Sequence, residues 1–415
     1  MTRDPDQLID AFAGELAGRP GLPSFEEISD AEFLAREAKK IDLGKWDADP
    51  DIRPLIAALL VRRAFQTSEP GETFKAINCA AKAIDQSHHP ELGEFAGRLT
   101  ALARDVRVQE RTAEPEQSAA RRTGTLPITV LFSEGPIARA YLATLAADGL
   151  RPARIINMVS TKNLATGAPV GRLVPAPFRR GYRGWAQRQQ IHHWPKTIAG
   201  KHPQLLAQCT KAVGALGFDE DTQADARALR PLNAYCDDIV EIEVERLKDQ
   251  ALSDLLQSLS PSVVLFTGGG LVPRSLLSIG DTRFLHIHPG KLPDLRGADC
   301  TLWSSLIGHR PSASAFWMAP GIDTGRVIAS HWLPRLEIGA VDGVDPKTLY
   351  RTVYAYVDPW LRAALLRNVM QRFDDLSAVN GEEQDLNAGK TYHFMHPSLH
   401  PLAFERLGFT LPRDG

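Results

Sequence analysis

The sequence predicts an α/β protein with a mostly parallel sheet, preceded by an all-α region. Three observations carry this. The β-branched run Pro127–Phe132 turns through Ser133–Pro136 into a helix, Ile137–Asp148, and then a second strand, Arg154–Val159. Strand, helix, strand at this length implies a right-handed parallel crossover. Two further apolar runs, Val263–Phe266 and Phe284–His288, stop abruptly at glycine- and proline-rich loops, as short buried strands do. Residues 1–110, by contrast, space their apolar residues by three and four and show little that reads as strand.

In that N-terminal third, helical pieces run from Asp6 to Leu16, Phe25 to Ile41, Ile52 to Phe65 and Phe74 to Ile84, with breaks at Gly18–Pro23 and Glu69–Gly71. Ser24 and Glu27 form a capping-box pattern, and Asp30 is placed to cap a continuation. No catalytic motif lies here. Adjacent residues at a helix end point different ways, so His88-His89 reads as solvated surface rather than a metal pair. The bundle is expected to serve protein contact, self-association or substrate presentation. Arg111–Thr125, polar and aperiodic, is a linker. The expected division is a helical bundle over 1–110, a linker over 111–125, an α/β domain over 126–340, and a C-terminal helix with closing tail over 341–415.

A chain of 415 residues, 43% hydrophobic and 24% charged, fits a soluble protein of two or three domains. A net charge of -2 gives no overall drive toward nucleic acid or membranes. The four cysteines, Cys79, Cys209, Cys236 and Cys300, lack the paired spacing of a disulfide framework or zinc knuckle. No apolar run reaches the roughly 18 residues of a membrane span, and the N-terminus lacks the apolar core of a signal peptide. A cytoplasmic location is expected.

The turn after Pro127–Phe132 contains only Gly135, so the dinucleotide fingerprint Gly-x-Gly-x-x-Gly is absent and a nicotinamide enzyme is disfavoured. Asp238–Val244 reads as another strand and Glu245–Ser258 as a helix. Between Gly149 and Phe218 there is no Asp or Glu, while Arg and Lys recur among Tyr182, Trp185 and Trp194. Such a block is either a solvated loop balanced by the acidic N-terminal bundle or an anion-binding insertion for a phosphorylated or nucleotide-linked acceptor or a polyglutamate tail. RNA ranks below a small anion, because the total charge is not basic and no RNA-binding module is visible. His192-His193 reads as part of this surface. After Val263–Phe266, the run Thr267-Gly268-Gly269-Gly270 reads as a sharp turn needing positive φ, and no Gly-Lys-Ser/Thr follows to make a phosphate loop.

The stretch from Phe284 to Gly325 gathers the chemistry. Alternation puts Phe284, His286 and His288 on one strand face and Leu285 and Ile287 on the other. Pro289, Gly290, Pro293 and Gly297 force an irregular loop. A short helix, Cys300–Ile307, and a strand, Ala313–Met318, lead to the tight loop Gly321-Ile322-Asp323-Thr324-Gly325. Two imidazoles at a strand end and a carboxylate in a nearby loop make an acid–base site. Ser304 and Ser305 have no base at motif spacing. Val327–Trp332 continues the sheet, and Pro346–Phe373 reads as one long helix capped by Asp345. His393, His396 and His400 lack zinc-ligand spacing and read as part of a docked tail.

His286-Ile287-His288-Pro289-Gly290-Lys291-Leu292-Pro293, then Arg296-Gly297 and Asp323-Thr324-Gly325, resembles the signature of the folate-dependent formyltransferases. Those include the glycinamide ribonucleotide, methionyl-tRNA and sugar-amine enzymes, and their signature is Asn-x-His-Pro-Ser-Leu-Leu-Pro, Arg-Gly and Asp-Thr-Gly. His286 stands where the family has Asn. The resemblance covers Leu126 to Pro397 and implies a Rossmann-like, mostly parallel sheet of the formyltransferase type. It implies formyl transfer from 10-formyltetrahydrofolate to an amine of a small, anionic acceptor, without a metal. His288 and Asp323 would carry the acid–base work and His286 would donate to the oxyanion. Gly268, Gly269, Gly270, Leu271, Val272, Pro273, Gly321 and Ile322 would line the donor pocket, and Lys291, Arg296 and Gly297 would meet the acceptor. Asp323 is expected to raise the pKa of His288, and the two imidazoles to resist joint protonation. Alternatives are hydrolysis of the same donor, a His286–His288–Asp323 metal site, and a catalytically silent folate-binding or scaffold protein.

Overall fold

The computed structural model describes residues 4–17, 24–30, 52–114 and 122–412. The predicted break at 18–23, the helix 25–41 beyond Asp30 and linker residues 115–121 lie outside the described residues. The N-terminal helices are Pro5–Leu16, Phe25–Ser29, Arg53–Gln66, Pro70–Ser87, Pro90–Gly93 and Phe95–Asp105. The Ser24–Glu27 capping box forms. Phe95–Asp105 was not anticipated, because its buried stripe of Phe95, Leu99 and Ala103 is only one residue wide. His88 ends a helix in the left-handed region and His89 packs edge-on against Phe12, 4.9 Å between ring centres, so the pair is not simply solvated.

Eleven strands follow among the described residues: β1 Gly124–Ser133, β2 Leu150–Ser160, β3 Ile239–Val244, β4 Val263–Phe266, β5 Arg283–His288, β6 Leu295–Gly297, β7 Ser312–Trp317, β8 Val327–Trp332, β9 Gly339–Ala340, β10 Lys390–Tyr392 and β11 Phe409–Thr410. Seven form one sheet in the order β3-β2-β1-β4-β5-β7-β8. β1 to β5 are parallel, and β7 and β8 join antiparallel. Val130, Leu131 and Phe132 of β1 are fully buried, the mark of a central parallel strand covered on both faces. The chain runs outward through β2 and β3, then returns to β4 and β5 on the other side of β1. Such a reversal leaves a crevice outside the carboxyl ends of the strands.

The acid-free block between Gly149 and Phe218 is largely helical, Ala176–Ile191, His193–Lys201 and Pro203–Gly214, rather than a loop. Its field is offset across the sheet edge. Arg151 pairs with Asp237 at 3.0 Å, Arg154 with Asp238 at 2.6 Å and Arg183 with Glu243 at 3.0 Å, and Lys162 with Glu245. His192 is buried and bonds Glu134, 2.9 Å, while His193 stays exposed; the two do not share a surface role.

The predicted helix Pro346–Phe373 is broken in its middle. An α-helical turn, Pro346–Thr352, is capped by Asp345 and gives way to a π-helical turn, Val353–Val357, before the helix Asp358–Arg372. This wide turn keeps Tyr350, Tyr354, Asp358 and Arg362, each four residues apart, along one stripe. Tyr350 and Tyr354 both donate to Asp299 Oδ1, at 2.8 and 2.7 Å. Asp358 accepts from Thr301 at 2.5 Å, and Arg362 donates to the Ile287 carbonyl of β5 at 2.8 Å.

Candidate active site

β5 presents its two faces as alternation requires. Leu285 and Ile287 are fully buried in the main core, each side chain contributing about 1.5–3 kcal/mol by burial. Phe284 packs in a second core on the opposite side of the sheet. Beyond it on that face, His286 and His288 reach a cavity of about 400 Å³ at the carboxyl ends of β4 and β5. Its walls include Gly269–Val272 from the turn after β4, Phe316 and Met318, Gly321–Asp323, Arg362, and the tail residues Thr391–Phe394.

His288 and Asp323, 35 positions apart in the chain, meet here with Nδ1 and Oδ2 3.5 Å apart. The Nε2–H of His288 donates to the Leu295 carbonyl at 2.9 Å, so Nδ1 is the nitrogen that faces the carboxylate. The Gly297 N–H fixes Asp323 Oδ2 at 2.8 Å. Asp323 has φ of +53°, a left-handed conformation that Asp tolerates better than most residues. Its side chain is 17% exposed against 3% for His288, so the carboxylate meets the cavity and the imidazole stands behind it.

His286 departs from expectation. Its Nδ1–H donates to the Phe266 carbonyl at 3.2 Å. Burial, aided by the Arg362 cation, pulls its pKa down to about 4; His288 is the smallest of the contributing causes. A neutral ring with its one proton on Nδ1 offers Nε2 as an acceptor, not as a donor to an oxyanion. Burial also lowers His288, outweighing the opposing pull of Asp323, so the expected upward shift is not what the site produces.

The remaining predicted residues divide. Gly269, Gly270, Leu271, Val272, Gly321, Ile322 and Gly297 line the cavity; Gly268 and Pro273 do not. A Cβ on Gly268 would lie 2.7 Å from the Phe266 ring, so that glycine serves close packing, whereas Gly270 has φ of +84° and serves the turn. Lys291 and Arg296 face away from any acceptor. Lys291 is tied to Glu114 and, at 2.6 Å, to the Ser330 carbonyl. Buried Arg296 holds the tail through the Leu386 and Gly389 carbonyls at 2.8 and 2.9 Å. Lys291 Nζ and Arg296 Nη2 are bound by protein partners from distant sequence, which local pattern does not reveal, while Arg296 Nη1 is buried without a hydrogen-bond partner.

Sequence reasoning missed Arg362 and Tyr354, which lie on the far helix, and gave Asp299 no role. Arg362 is held charged despite burial by Asp358, 2.8 Å from its Nε. Asp299 accepts from both tyrosines and from the Met395 N–H at 2.8 Å. Among the described residues no three His, Cys, Asp or Glu side chains are grouped as a metal-ligand set. His286 Nδ1 and both nitrogens of His288 already face protein partners, which disfavours the proposed His-His-Asp ligation. Among the described residues no helix is long and apolar enough to cross a membrane.

The fold and site define an α/β protein with a buried imidazole–carboxylate pair at a strand-end cavity. No family model matches the chain. It is 28% identical over 90 residues to methionyl-tRNA formyltransferase of Syntrophus aciditrophicus (strain SB), covering 21% of this chain and 29% of that protein. It is 34% identical over 86 residues to methionyl-tRNA formyltransferase of Thermus thermophilus, covering 20% and 28%. The match thus spans less than a third of the length of these curated relatives. Among solved structures, a sugar N-formyltransferase from Shewanella sp FDAARGOS_354 aligns with a TM-score of 0.29 at 12% identity, covering 70% of this chain and 93% of that one. The chain resembles the folate-dependent formyltransferases, as its motifs imply.

Proposed function

We propose that the protein is a cytoplasmic enzyme that moves a formyl group from 10-formyltetrahydrofolate to the amine of a small molecule. The observation that carries this reading is the contact between His288 and Asp323 beside a cavity with mostly apolar walls. Its volume, about 400 Å³, suits a drug-sized ligand. Leu271, Val272, Phe316, Met318 and Ile322 would hold a flat heterocycle. The donor supplies an activated formyl carbon.

In the transfer, the amine nitrogen bonds to that carbon, the bond from carbon to the donor nitrogen breaks, and one proton passes from the amine to the released nitrogen. Neutral His286, with Nε2 as acceptor, is suited to take the amine proton. Asp323, at the same cavity and 3.5 Å from His288, is suited to relay that proton from His286 to the leaving nitrogen, which restores both groups. Arg362, a buried cation at the same cavity, favours negative charge developing on the formyl oxygen. The pairing of the basic block with the β3 edge reduces the support for an anionic acceptor.

A second reading, donor hydrolysis, shares the His286 acceptor, because an unprotonated nitrogen serves water as well as an amine. Purified protein incubated with 10-formyltetrahydrofolate, with and without a panel of amines, separates the two. Formylated amine marks transfer, and formate released without amine marks hydrolysis. Neither product, together with no binding of the donor, would sink both.

A further inference from the structure

We infer that the N-terminal helical layer is a working part of the cavity. Asn78 acts as a positioning residue that sets the wall carrying Phe394. Thr391, Tyr392, His393 and Phe394 all line the cavity. The segment has little sheet to hold it, since among the described residues β10 pairs only with three-residue β6. Two-stranded pairs are marginal on their own. The α/β side holds it through the Trp303 Nε1–H to the His393 carbonyl at 2.8 Å and the Ala298 N–H to the Tyr392 carbonyl at 3.0 Å, and the helix Pro70–Ser87, with the residue before it, grips it from the other side.

Asn78 is 2% exposed and spends its amide on this one segment. Its Nδ2 donates to the Phe394 carbonyl at 3.3 Å and its Oδ1 accepts from the His396 N–H at 2.6 Å. These bonds bracket Met395, whose N–H goes to Asp299 in the cavity wall. An ion pair and a hydrogen bond flank the contact: Lys390 to Glu69 at 3.0 Å, and His396 Nε2–H to Asp85 Oδ2 at 2.9 Å. Between them the Tyr392 side chain reaches the helix backbone, for a Cβ on Gly71 would lie 2.8 Å from the Tyr392 hydroxyl.

The clamp presents an open aromatic ring. Phe394 is 60% exposed although it lines the cavity, and it shares the lining with Leu271 and Ile322, exposed by 68% and 42%. Three large apolar side chains left open around one cavity form a surface for a planar, partly apolar ligand. Phe394 is the member of this trio whose place depends on the helical layer. Its identification with the ring system of the folate donor rests on the function proposed above; its dependence on Asn78 does not.

The test uses the full chain, with tetrahydrofolate as probe and hydrogen exchange as a readout independent of turnover. In Asn78→Ala, exchange at Met395 and His396 speeds about tenfold or more, as expected for two lost hydrogen bonds, while β1, β4 and β5 keep their protection. The Kd for tetrahydrofolate rises about tenfold. Phe394→Ala raises the Kd similarly without speeding exchange at 395 and 396. If Asn78→Ala loosens the whole protein, Lys390→Met, which frees one end of the same segment, replaces it with the same expected pattern. Unchanged exchange over 390–396 overturns the positioning claim, and a Phe394→Ala variant that binds as tightly as the parent overturns the role of the ring. If the parent itself does not bind tetrahydrofolate, the donor reading fails, and the exchange experiment still decides whether the helical layer holds the wall.

Discussion

His286→Asn tests the electrostatics of the site through stability. In the folded protein burial and Arg362 hold this imidazole neutral down to about pH 4. In the unfolded chain it titrates near 6.5. The unfolded state therefore binds more protons between those values, and stability falls as pH falls. The contribution of His286 is fully present above about pH 6.5 and is lost progressively as pH drops through the folded pKa. Two-state linkage with these two values gives a loss of about 2 kcal/mol between about pH 7.5 and pH 5. His400, buried and also held down to about 4, adds a loss of the same sign that both proteins share. Asn keeps an amide donor for the Phe266 carbonyl but cannot titrate. Urea unfolding of wild type and variant at both pH values should therefore show the variant losing about 2 kcal/mol less than wild type. An equal loss in both proteins would mean that the folded imidazole is not held neutral, and the assignment of Nε2 as acceptor would fall with it.

Three further outcomes are expected. Asp323→Asn should lower kcat for formyl transfer by about 10²–10⁴-fold with little change in melting temperature, since the amide oxygen still accepts from Gly297; a variant as active as wild type would exclude the carboxylate from proton transfer. Gly290→Ala would place a Cβ 2.6 Å from both His288 Nε2 and the Leu295 carbonyl. Thermal unfolding should show a loss of about 1–3 kcal/mol, and activity should drop even where the variant remains folded. Arg362→Met leaves Asp358, 0% exposed, as an unpaired buried charge; denaturation should register about 3–5 kcal/mol of destabilisation, whereas the double change Arg362→Met with Asp358→Asn should recover much of it.

Where the signal is local, the sequence reveals the site. Pro289 ends β5 beside two same-face histidines, and the strands Val263–Phe266 and Val327–Trp332 have the predicted bounds. The contact of His288 with Asp323 was legible only through the motif order, because no periodicity joins a strand end to a loop 35 positions away. The state of His286 was not legible. It depends on the Phe266 carbonyl across the sheet and on a guanidinium 76 residues downstream. Lys291 misled because an exposed-looking lysine in a loop gives no sign of Glu114, drawn in from the start of the linker. Asn78 was invisible for the same reason: a polar residue in a helical stripe carries no mark of the tail segment it grips 316 residues later.

The widened turn at Val353–Val357 bears on how this chain can vary. A regular α-helix turns about 100° per residue, so groups four apart drift around its axis; the extra width absorbs that drift. Substitutions at Val353 or Val357 would change packing by a methyl or two. Deleting one residue of the turn after Tyr354 would swing everything beyond it by about 100°, carrying Arg362 away from β5 while leaving Tyr350 and Tyr354 where they are. Length, more than side-chain identity, is what this segment must preserve.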